Sequence, residues 1–380
     1  MAVDLRLLGE KLQRNRSQLE VSLDELSLGT GIPATALADF EVGNVAPTGD
    51  QVLILADYFK CDYAELISRD AQTSLERTDT LFRRFGSQFS KDDRWAVREF
   101  LFLCEAEHFL NQQLNHRTNR FSFQKSGNLF KGHAEQAARQ LRRRLTYEDH
   151  ALPRDVYADF RSIGIHVFRR QLDNSNISGL YVNHPSAGDC VLINYSEDIY
   201  RQRFTAAHEA AHAIFDREDE VVVSFWNTND LKEVRANTFA SRYLMPPEFL
   251  TKIPNSTSWD REKLLKWAQD MRVNPRALVI ALSAEGLIED QQERELKDTK
   301  IPRDVKMDPE LPGSLAPRSR ERKEAMLERG LSSAYVSLCF NAYRNNLITA
   351  ARLAELLLLD GDEELRDIAA LYGELLDYNS

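Results

Sequence analysis

Two histidines four residues apart, His208 and His212, constrain the fold of this 380-residue chain more than any other feature. Residues with this spacing point in the same direction on an α-helix, so both imidazoles can bind one metal ion. Glu209 lies next to His208 but is offset around the helix, where its carboxylate can accept a proton from the attacking water and pass it to a leaving amine. The segment 201–216 is therefore predicted to be a long helix that carries a catalytic metal site.

A catalytic zinc ion usually has three protein ligands and one open position, so a third ligand is required. Among the acidic residues downstream of the histidines, only Glu233 lies inside a second predicted helix, at 231–244. Ala236, Asn237 and Ala240 share its face, and small residues there allow the second helix to approach the first one closely. We predict Glu233 as the third zinc ligand and Asn237 as the hydrogen-bond partner of a ligand histidine.

Each of these residues also has a purely structural interpretation. His208 and His212 could be satisfied core histidines on an alanine-rich helix, and Glu233 could be a solvated helix carboxylate. The acidic segment 216–220 is interpreted as a solvated loop, which could also contact cationic groups of a peptide. The combination of two histidines, a carboxylate in a suitable helix and small residues for close packing favours the metal site.

The residues around these motifs carry a family resemblance. The sequences RFTAAHEAAH at 203–212, EVRANTFA at 233–240 and LMP at 244–246 resemble the ImmA/IrrE metallopeptidases. The likeness extends from about His133 to Ile288. It departs from the family at Ala210 and Ala211, where a bulkier residue and a glycine are common.

The resemblance implies an α+β peptidase of the zincin-like, gluzincin type. It implies that His208, His212 and Glu233 bind Zn²⁺. It further implies that Glu209 is the general base. Members of the family are associated with cleavage of a helix-turn-helix repressor, which releases genes of phages, mobile elements or DNA-damage responses.

The amino-terminal block resembles the XRE family of helix-turn-helix regulators from about Leu5 to Ile67. Ser22 can cap a helix that begins at the next residue, Gly31 permits a tight turn, and Pro33 suits the first turn of a following helix. The likeness implies an all-α domain that binds either DNA or a protein partner.

The predicted recognition helix of this block is poor in side chains that read DNA bases. Its outward positions carry two alanines, Thr35 and Asp39, whereas base reading normally uses Arg, Lys, Asn or Gln. Residues 1–70 contain six basic and twelve acidic side chains, so attraction to phosphate is weak. Arg14, Arg16 and Thr35 are the candidate nucleic-acid contacts here, and DNA binding and protein binding both stay open.

A second candidate for nucleic-acid contact is the basic segment 117–144, which includes Arg142, Arg143 and Arg144. Two phenylalanines interleave with its cations and could stack on unpaired bases. Alternatively, the segment is a solvated basic helix whose phenylalanines pack in the core, and this second interpretation is favoured.

Length and composition place these motifs in a folded protein of several domains. A hydrophobic fraction of 43% supports buried cores, and the formal charge of −10 opposes indiscriminate binding to phosphate backbones. The four cysteines form no CxxC pair and are interpreted as free thiols. The sequence has no apolar run long enough to cross a bilayer and no signal peptide, which predicts a cytoplasmic protein without membrane contact.

The predicted architecture is multi-domain, with an all-α helix-turn-helix amino-terminal domain, an α+β zincin-like peptidase domain and a helical carboxy-terminal region. Its predicted division is 1–70 for the XRE-like domain, 71–130 for a helical connector, 131–255 for the zinc peptidase core, 256–290 for a helical extension that resembles a helix-turn-helix, 291–320 for a flexible linker and 321–380 for a carboxy-terminal helical module.

These features together predict a zinc-dependent endopeptidase that acts as a regulator in a stress, mobile-element or phage-defence response. The expected partner is a protein substrate, most simply a helix-turn-helix repressor; DNA is a further candidate, and a homo-oligomer is compatible with the sequence. The rival interpretation is a non-proteolytic XRE-type transcriptional regulator, or a nucleic-acid sensor, with a structural or sensory metal site. Glu209 counts against this rival, because a structural site does not need that carboxylate.

Overall fold

The computed structural model describes residues 3–68, 74–125, 127, 130–148, 151–225, 230–359 and 361–376, the side chains of 74–77 excepted. Within these ranges the chain is mixed α and β and mostly helical, with one four-stranded sheet. This composition is consistent with the predicted multi-domain α+β architecture. None of the helices in these ranges combines the length and the apolar character needed to span a membrane.

Five short helices form the amino-terminal block around one cluster of buried apolar side chains. They are α1 (Leu5–Gln18), α2 (Leu23–Thr30), α3 (Ala34–Glu41), α4 (Gly49–Tyr58) and α5 (Tyr63–Ile67). Ser22 caps α2 in a capping box with Glu25, and Gly31 ends α2 in left-handed backbone with φ of 70°. The predicted cap and turn are confirmed, whereas the XRE assignment stays a prediction.

Fourteen further helices follow within the described ranges, together with single 3₁₀ turns at Gly86–Gln88 and Arg303–Val305. They are α6 (Ser74–Phe85), α7 (Lys91–Gln113), α8 (Phe130–Arg144), α9 (Val156–Ser162), α10 (Ile199–Phe215), α11 (Leu231–Leu244), α12 (Pro247–Leu250), α13 (Arg261–Met271), α14 (Pro275–Ala284), α15 (Asp290–Leu296), α16 (Pro317–Glu328), α17 (Ser333–Arg344), α18 (Ala350–Leu356) and α19 (Asp362–Tyr372). The two helices predicted at 201–216 and 231–244 are confirmed as α10 and α11.

The sheet has the strand order β1-β3-β2-β4, so β4 forms one of its edges. Its strands are β1 (His166–Arg170), β2 (Ile177–His184), β3 (Gly188–Asn194) and β4 (Val221–Phe225). β1 and β3 run parallel, whereas β2 is antiparallel to both β3 and β4. The sequence predicts strands at 164–168, 177–182 and 190–194, and these predictions are confirmed as β1 to β3. For the apolar run 221–226 the sequence leaves strand and loop open; this run forms β4 up to Phe225, and Trp226 lies outside the described residues.

The two faces of the sheet belong to two different cores, because successive side chains of a strand point to opposite sides. Val167, Tyr181 and Val191 pack in the core that contains α10 and α11. Phe168 and Leu192 pack in a second core that contains α7 and α17. The sheet is therefore covered on one side by the helices with the metal motif and on the other by the connector and carboxy-terminal helices.

The stretch 291–320, predicted as a flexible linker, packs against the sheet. The guanidinium of Arg169 in β1 is buried and lies 2.5 Å from the carboxylate of Asp308 and 3.4 Å from that of Glu310. These carboxylates neutralise a buried charge, which attaches the stretch to the fold. The domain boundaries themselves stay predictions, and the one at residue 70 lies within 69–73, outside the described residues.

Candidate metal centre

Helix α10 lies close against the sheet because one residue of β2 has no side chain. Asp198 caps the amino terminus of α10 by accepting hydrogen bonds from two backbone N–H groups of the first turn. A Cβ atom at Gly179 of β2 would lie 2.8 Å from the carbonyl oxygen of Leu192 and 3.0 Å from Cγ of Glu209. Glycine is therefore needed at this position for the strand and the helix to approach so closely.

His208, His212 and Glu233 meet between α10 and α11. Nε2 of His208 lies 3.0 Å from Oε2 of Glu233, and Nε2 of His212 lies 3.4 Å from Oε1 of the same carboxylate. The two Nε2 atoms are 3.2 Å apart. All three side chains are buried, and their candidate ligand atoms lie within 4.8 Å of one another. The buried Ala236 and Ala240 allow α11 to bring Glu233 this close to α10.

The donor set of this cluster fits a zinc ion. Two imidazole nitrogens and one carboxylate are a usual set of protein ligands for a catalytic zinc site that keeps one open position. Burial raises the pKa of Glu233, but its hydrogen bonds to His208 and His212 outweigh burial and lower this pKa to about 2. Burial lowers the pKa of His212, whereas its hydrogen bonds to Asp216 and Glu233 raise this pKa to about 10. The surroundings thus favour positive charge at this point, which a divalent cation provides.

Each of the two histidines directs its other ring nitrogen to an oxygen atom. Nδ1 of His208 lies 3.0 Å from Oδ1 of Asn237, and Nδ1 of His212 lies 2.9 Å from Oδ2 of Asp216. A proton on each Nδ1 satisfies these oxygens and leaves the lone pair of each Nε2 directed to the cluster. Asn237 therefore lies against a candidate ligand histidine, at the place the sequence predicts for it.

Asp216, interpreted from the sequence as part of a solvated loop, is instead buried at the end of α10. Its carboxylate accepts hydrogen bonds from His212 and from Arg235 of α11. Burial raises the pKa of Asp216, but these two partners outweigh burial and lower it. A sequence signal for this role exists, because Asp216 follows His212 by four residues and so shares its face of the helix.

Glu209 lines a cleft of about 480 Å³ together with His208, Glu233 and Asn237. Its side chain is fully buried, and neither carboxylate oxygen makes a hydrogen bond of ordinary geometry within the described residues. Burial raises the pKa of this carboxyl, and the two histidines and the Ser224 hydroxyl act in the opposite direction without cancelling the rise. A buried carboxylate with so few partners adds little to the stability of the fold, so its position favours a chemical role in the cleft.

Replacing Gly179 by alanine is expected to destabilise the chain by about 1–3 kcal/mol, the usual cost of overpacking. The added Cβ would meet a backbone carbonyl, which cannot turn away, and would displace Glu209 from its present position. Thermal unfolding measures this loss of stability. Gly49→Ala is the control, because a Cβ at Gly49 meets nothing within 4 Å. Equal unfolding temperatures for the two variants would show that the close approach is unnecessary.

The candidate nucleic-acid contacts of the amino-terminal block are not all available at the surface. Arg14 pairs with Asp79, and the half-buried Arg16 lies 2.6 Å from the carboxylate of Glu41. Thr35 of α3 is exposed. The two arginines thus act within the fold as ion-pair partners, which weakens further the electrostatic attraction of this block to phosphate.

Arg142, a candidate nucleic-acid contact in the sequence, is buried. Its guanidinium donates hydrogen bonds to three backbone carbonyl oxygens, including that of Tyr243 in α11, so its charge faces the protein interior. Arg143 and Arg144 are exposed. Phe121 is buried, as expected if the phenylalanines of this basic segment pack in the core.

Comparison with known proteins gives a match to a family model. Residues 160–283 match the IrrE N-terminal-like domain, Peptidase_M78. The matched range contains the whole sheet and the four residues His208, Glu209, His212 and Glu233. The comparison with curated proteins gives no match. The family match supports the ImmA/IrrE family for this chain and indicates a metallopeptidase-type function.

Proposed function

We propose that this chain is a zinc-dependent endopeptidase that regulates a stress, mobile-element or phage-defence response by cleaving a helix-turn-helix repressor or a similar protein. The observation that carries the proposal is the buried cluster of His208, His212 and Glu233 next to Glu209, a buried carboxylate whose oxygens make no hydrogen bond of ordinary geometry in the described fold. The match of the same residues to Peptidase_M78 supports a peptidase.

His208, His212 and Glu233 would hold the zinc ion, because their ligand atoms converge on one point. When bound, zinc supplies a Lewis acid that polarises the scissile carbonyl and makes the attacking water more acidic. Asn237 and Asp216 orient the two rings by accepting hydrogen bonds from their Nδ1 atoms. Loss of either acceptor would leave a histidine free to rotate away from the cluster.

Glu209 would accept a proton from the attacking water and then donate it to the leaving amine. Burial raises its pKa toward the range in which a carboxylate both accepts and returns a proton readily. Its oxygens make no hydrogen bond of ordinary geometry within the described fold, and only the Ser224 hydroxyl acts on them as a donor, so they are available for this exchange. The exposed Arg276 and Ile280 line the same cleft with Phe225, which gives a substrate peptide both a charged and an apolar surface.

The proposal is tested by comparing the proteomes of cells that produce either the intact chain or Glu209→Gln under the same inducing condition. We expect a regulator protein to lose its full-length form and to give two fragments only with the intact chain. Glu262→Gln, an exposed glutamate at the start of α13, serves as the matched control and should behave like the intact chain. Identical cleavage products for the intact chain and Glu209→Gln would contradict the proposal.

For the amino-terminal block we propose an XRE-like helix-turn-helix domain whose main role is protein contact. Leu28 is 89% exposed and Val42 is 63% exposed, and apolar side chains at such positions suit a protein partner better than a phosphate backbone. The acidic balance of residues 1–70 supports the same role.

The full chain is expected to bind duplex DNA weakly and with little sequence preference, because α3 offers no long polar side chain for base reading. Titration against genomic fragments at physiological salt, including the promoter of its own gene, measures this affinity. Asp39→Arg should strengthen binding if α3 docks in the groove at all. Specific binding at roughly 10⁻⁸ M or tighter, the range of dedicated operator-binding proteins, would return the chain to the transcription-factor class.

A further inference from the structure

A second cavity lies apart from the metal cleft, where the starts of α9 and α10 meet the end of α13 and the segment 307–315. Its volume is about 600 Å³, which is within the range of sites for small organic ligands. Tyr157, Ile199 and Tyr200 give it aromatic and apolar walls. The cavity shares no lining residue with the metal cleft, so a ligand here would not occupy the site described above.

Cationic side chains outnumber acidic ones in this cavity. Its lining has five cations and three acids, an excess of two positive charges in a chain whose formal net charge is −10. The cations are Arg154, Arg161, Arg203, Arg272 and Lys323. The cavity is thus positively charged although the protein as a whole is negatively charged. This is expected for a site that attracts an anion.

The three acidic side chains of the lining already have partners within the fold. Asp308 and Glu310 pair with Arg169, which lies outside the lining of this cavity, and Glu310 also lies 3.9 Å from the ammonium of Lys323. Asp155 caps α9 by accepting hydrogen bonds from two backbone N–H groups. Among the described residues, none of these three acids forms an ion pair with Arg154, Arg203 or Arg272.

Three of these cations lack a carboxylate partner. Within the described part of the chain, Arg154, Arg203 and Arg272 make no ion pair. Arg203 is only 3% exposed; it donates to the carbonyl oxygens of Pro153 and Arg154, and its Nε has no partner in the same ranges. The hydroxyl of Tyr157 is likewise buried without a partner there. A buried cation with only neutral partners and an unused donor is stabilised when an anion approaches it.

Arg272 has a backbone conformation that is unusual for arginine. It ends α13 with φ of 55° and ψ of 49°, in the left-handed region where glycine is preferred. Glycine adopts this conformation without strain, so an Arg272→Gly change removes the guanidinium without straining the backbone.

We propose that this cavity binds a nucleoside monophosphate, with Arg154, Arg203 and Arg272 facing its phosphate. A phosphate monoester carries a charge of about −1.5 to −2 at neutral pH, which matches the excess positive charge of the lining. Guanidinium groups bind phosphate oxygens through paired hydrogen bonds. Tyr157, Tyr200 and Ile199 form walls that suit the base and the ribose. Inorganic phosphate alone would leave these walls uncovered.

The test is a titration of the full chain with AMP, GMP, CMP and UMP, in which binding is measured by calorimetry and by thermal unfolding. We expect at least one nucleotide to bind and to raise the unfolding temperature as its concentration increases. The matching nucleoside and inorganic phosphate should each bind at least about tenfold more weakly, a difference of about 1.4 kcal/mol. The readout is binding and uses no peptidase activity, so it is independent of the proposed function.

Two variants connect binding to the cavity. Arg272→Gly should not lower the unfolding temperature of the ligand-free chain, because glycine suits its backbone, yet it should weaken nucleotide binding at least about tenfold. Arg154→Ala, at an exposed position, should likewise keep the unfolding temperature of the ligand-free chain and weaken nucleotide binding at least about tenfold. Arg261→Ala, an exposed arginine at the other end of α13, is the control and should bind like the intact chain.

Several outcomes would overturn the proposal. They are the absence of heat and of a thermal shift with all four nucleotides, equal affinity for inorganic phosphate, and unchanged nucleotide affinity in the Arg154→Ala, Arg272→Gly double variant.

Discussion

Glu209→Gln is expected to lower the rate of substrate cleavage by at least about a hundredfold, the lower range for loss of a general acid–base group. Glutamine has a similar size but cannot accept the proton of the attacking water. The carboxylate is fully buried and makes no hydrogen bond of ordinary geometry among the described residues. The amide oxygen of glutamine can still accept from the nearby Ser224 hydroxyl, so the variant should unfold at the temperature of the intact chain or above it.

This combination of readouts separates a catalytic glutamate from a structural one. The variant should keep its bound zinc, because Glu209 does not belong to the group of His208, His212 and Glu233. Glu262→Gln provides the matched control. A Glu209→Gln protein that loses zinc, or that unfolds well below the intact chain, would identify the carboxylate as part of the structural framework instead.

The second large effect is expected for the double variant His208→Ala, His212→Ala. Removing two of three protein ligands should reduce the zinc content from about one ion per chain to nearly none, and cleavage should stop with it. Elemental analysis after dialysis against a weak chelator measures the zinc. His116→Ala, at an exposed histidine outside the cluster, should keep the full content. Full zinc occupancy in the double variant would place the metal elsewhere in the chain.

Much of the candidate site is predictable from the sequence, because helical periodicity relates residues that are close in the chain. The spacing of His208 and His212 fixes their common face on α10, and α11 follows soon enough that Glu233 is the obvious third member. The contact between Asn237 and His208 follows from one further helical turn. Such predictions succeed where a single helix determines the direction of each side chain.

Other features depend on how distant elements pack and could not be predicted from the sequence. The need for glycine at position 179 arises from the register of β2 with β3 and from the position of α10 above them. The attachment of 291–320 to β1 depends on a buried Arg169, whereas composition alone predicts a flexible segment. The burial of Arg142 also depends on the packing of separate elements, since its hydrogen-bond partners lie on α11 and in the segment after α8.

The metal centre is tested most directly by X-ray absorption at the zinc edge of the purified full chain. The ligand set predicts two imidazole nitrogens at about 2.0–2.1 Å, carboxylate oxygen at about 2.0–2.2 Å and no sulfur. The imidazole scattering should disappear in the His208→Ala, His212→Ala variant. A sulfur shell at about 2.3 Å would instead assign the metal to cysteine thiolates and would contradict a zinc site formed by His208, His212 and Glu233.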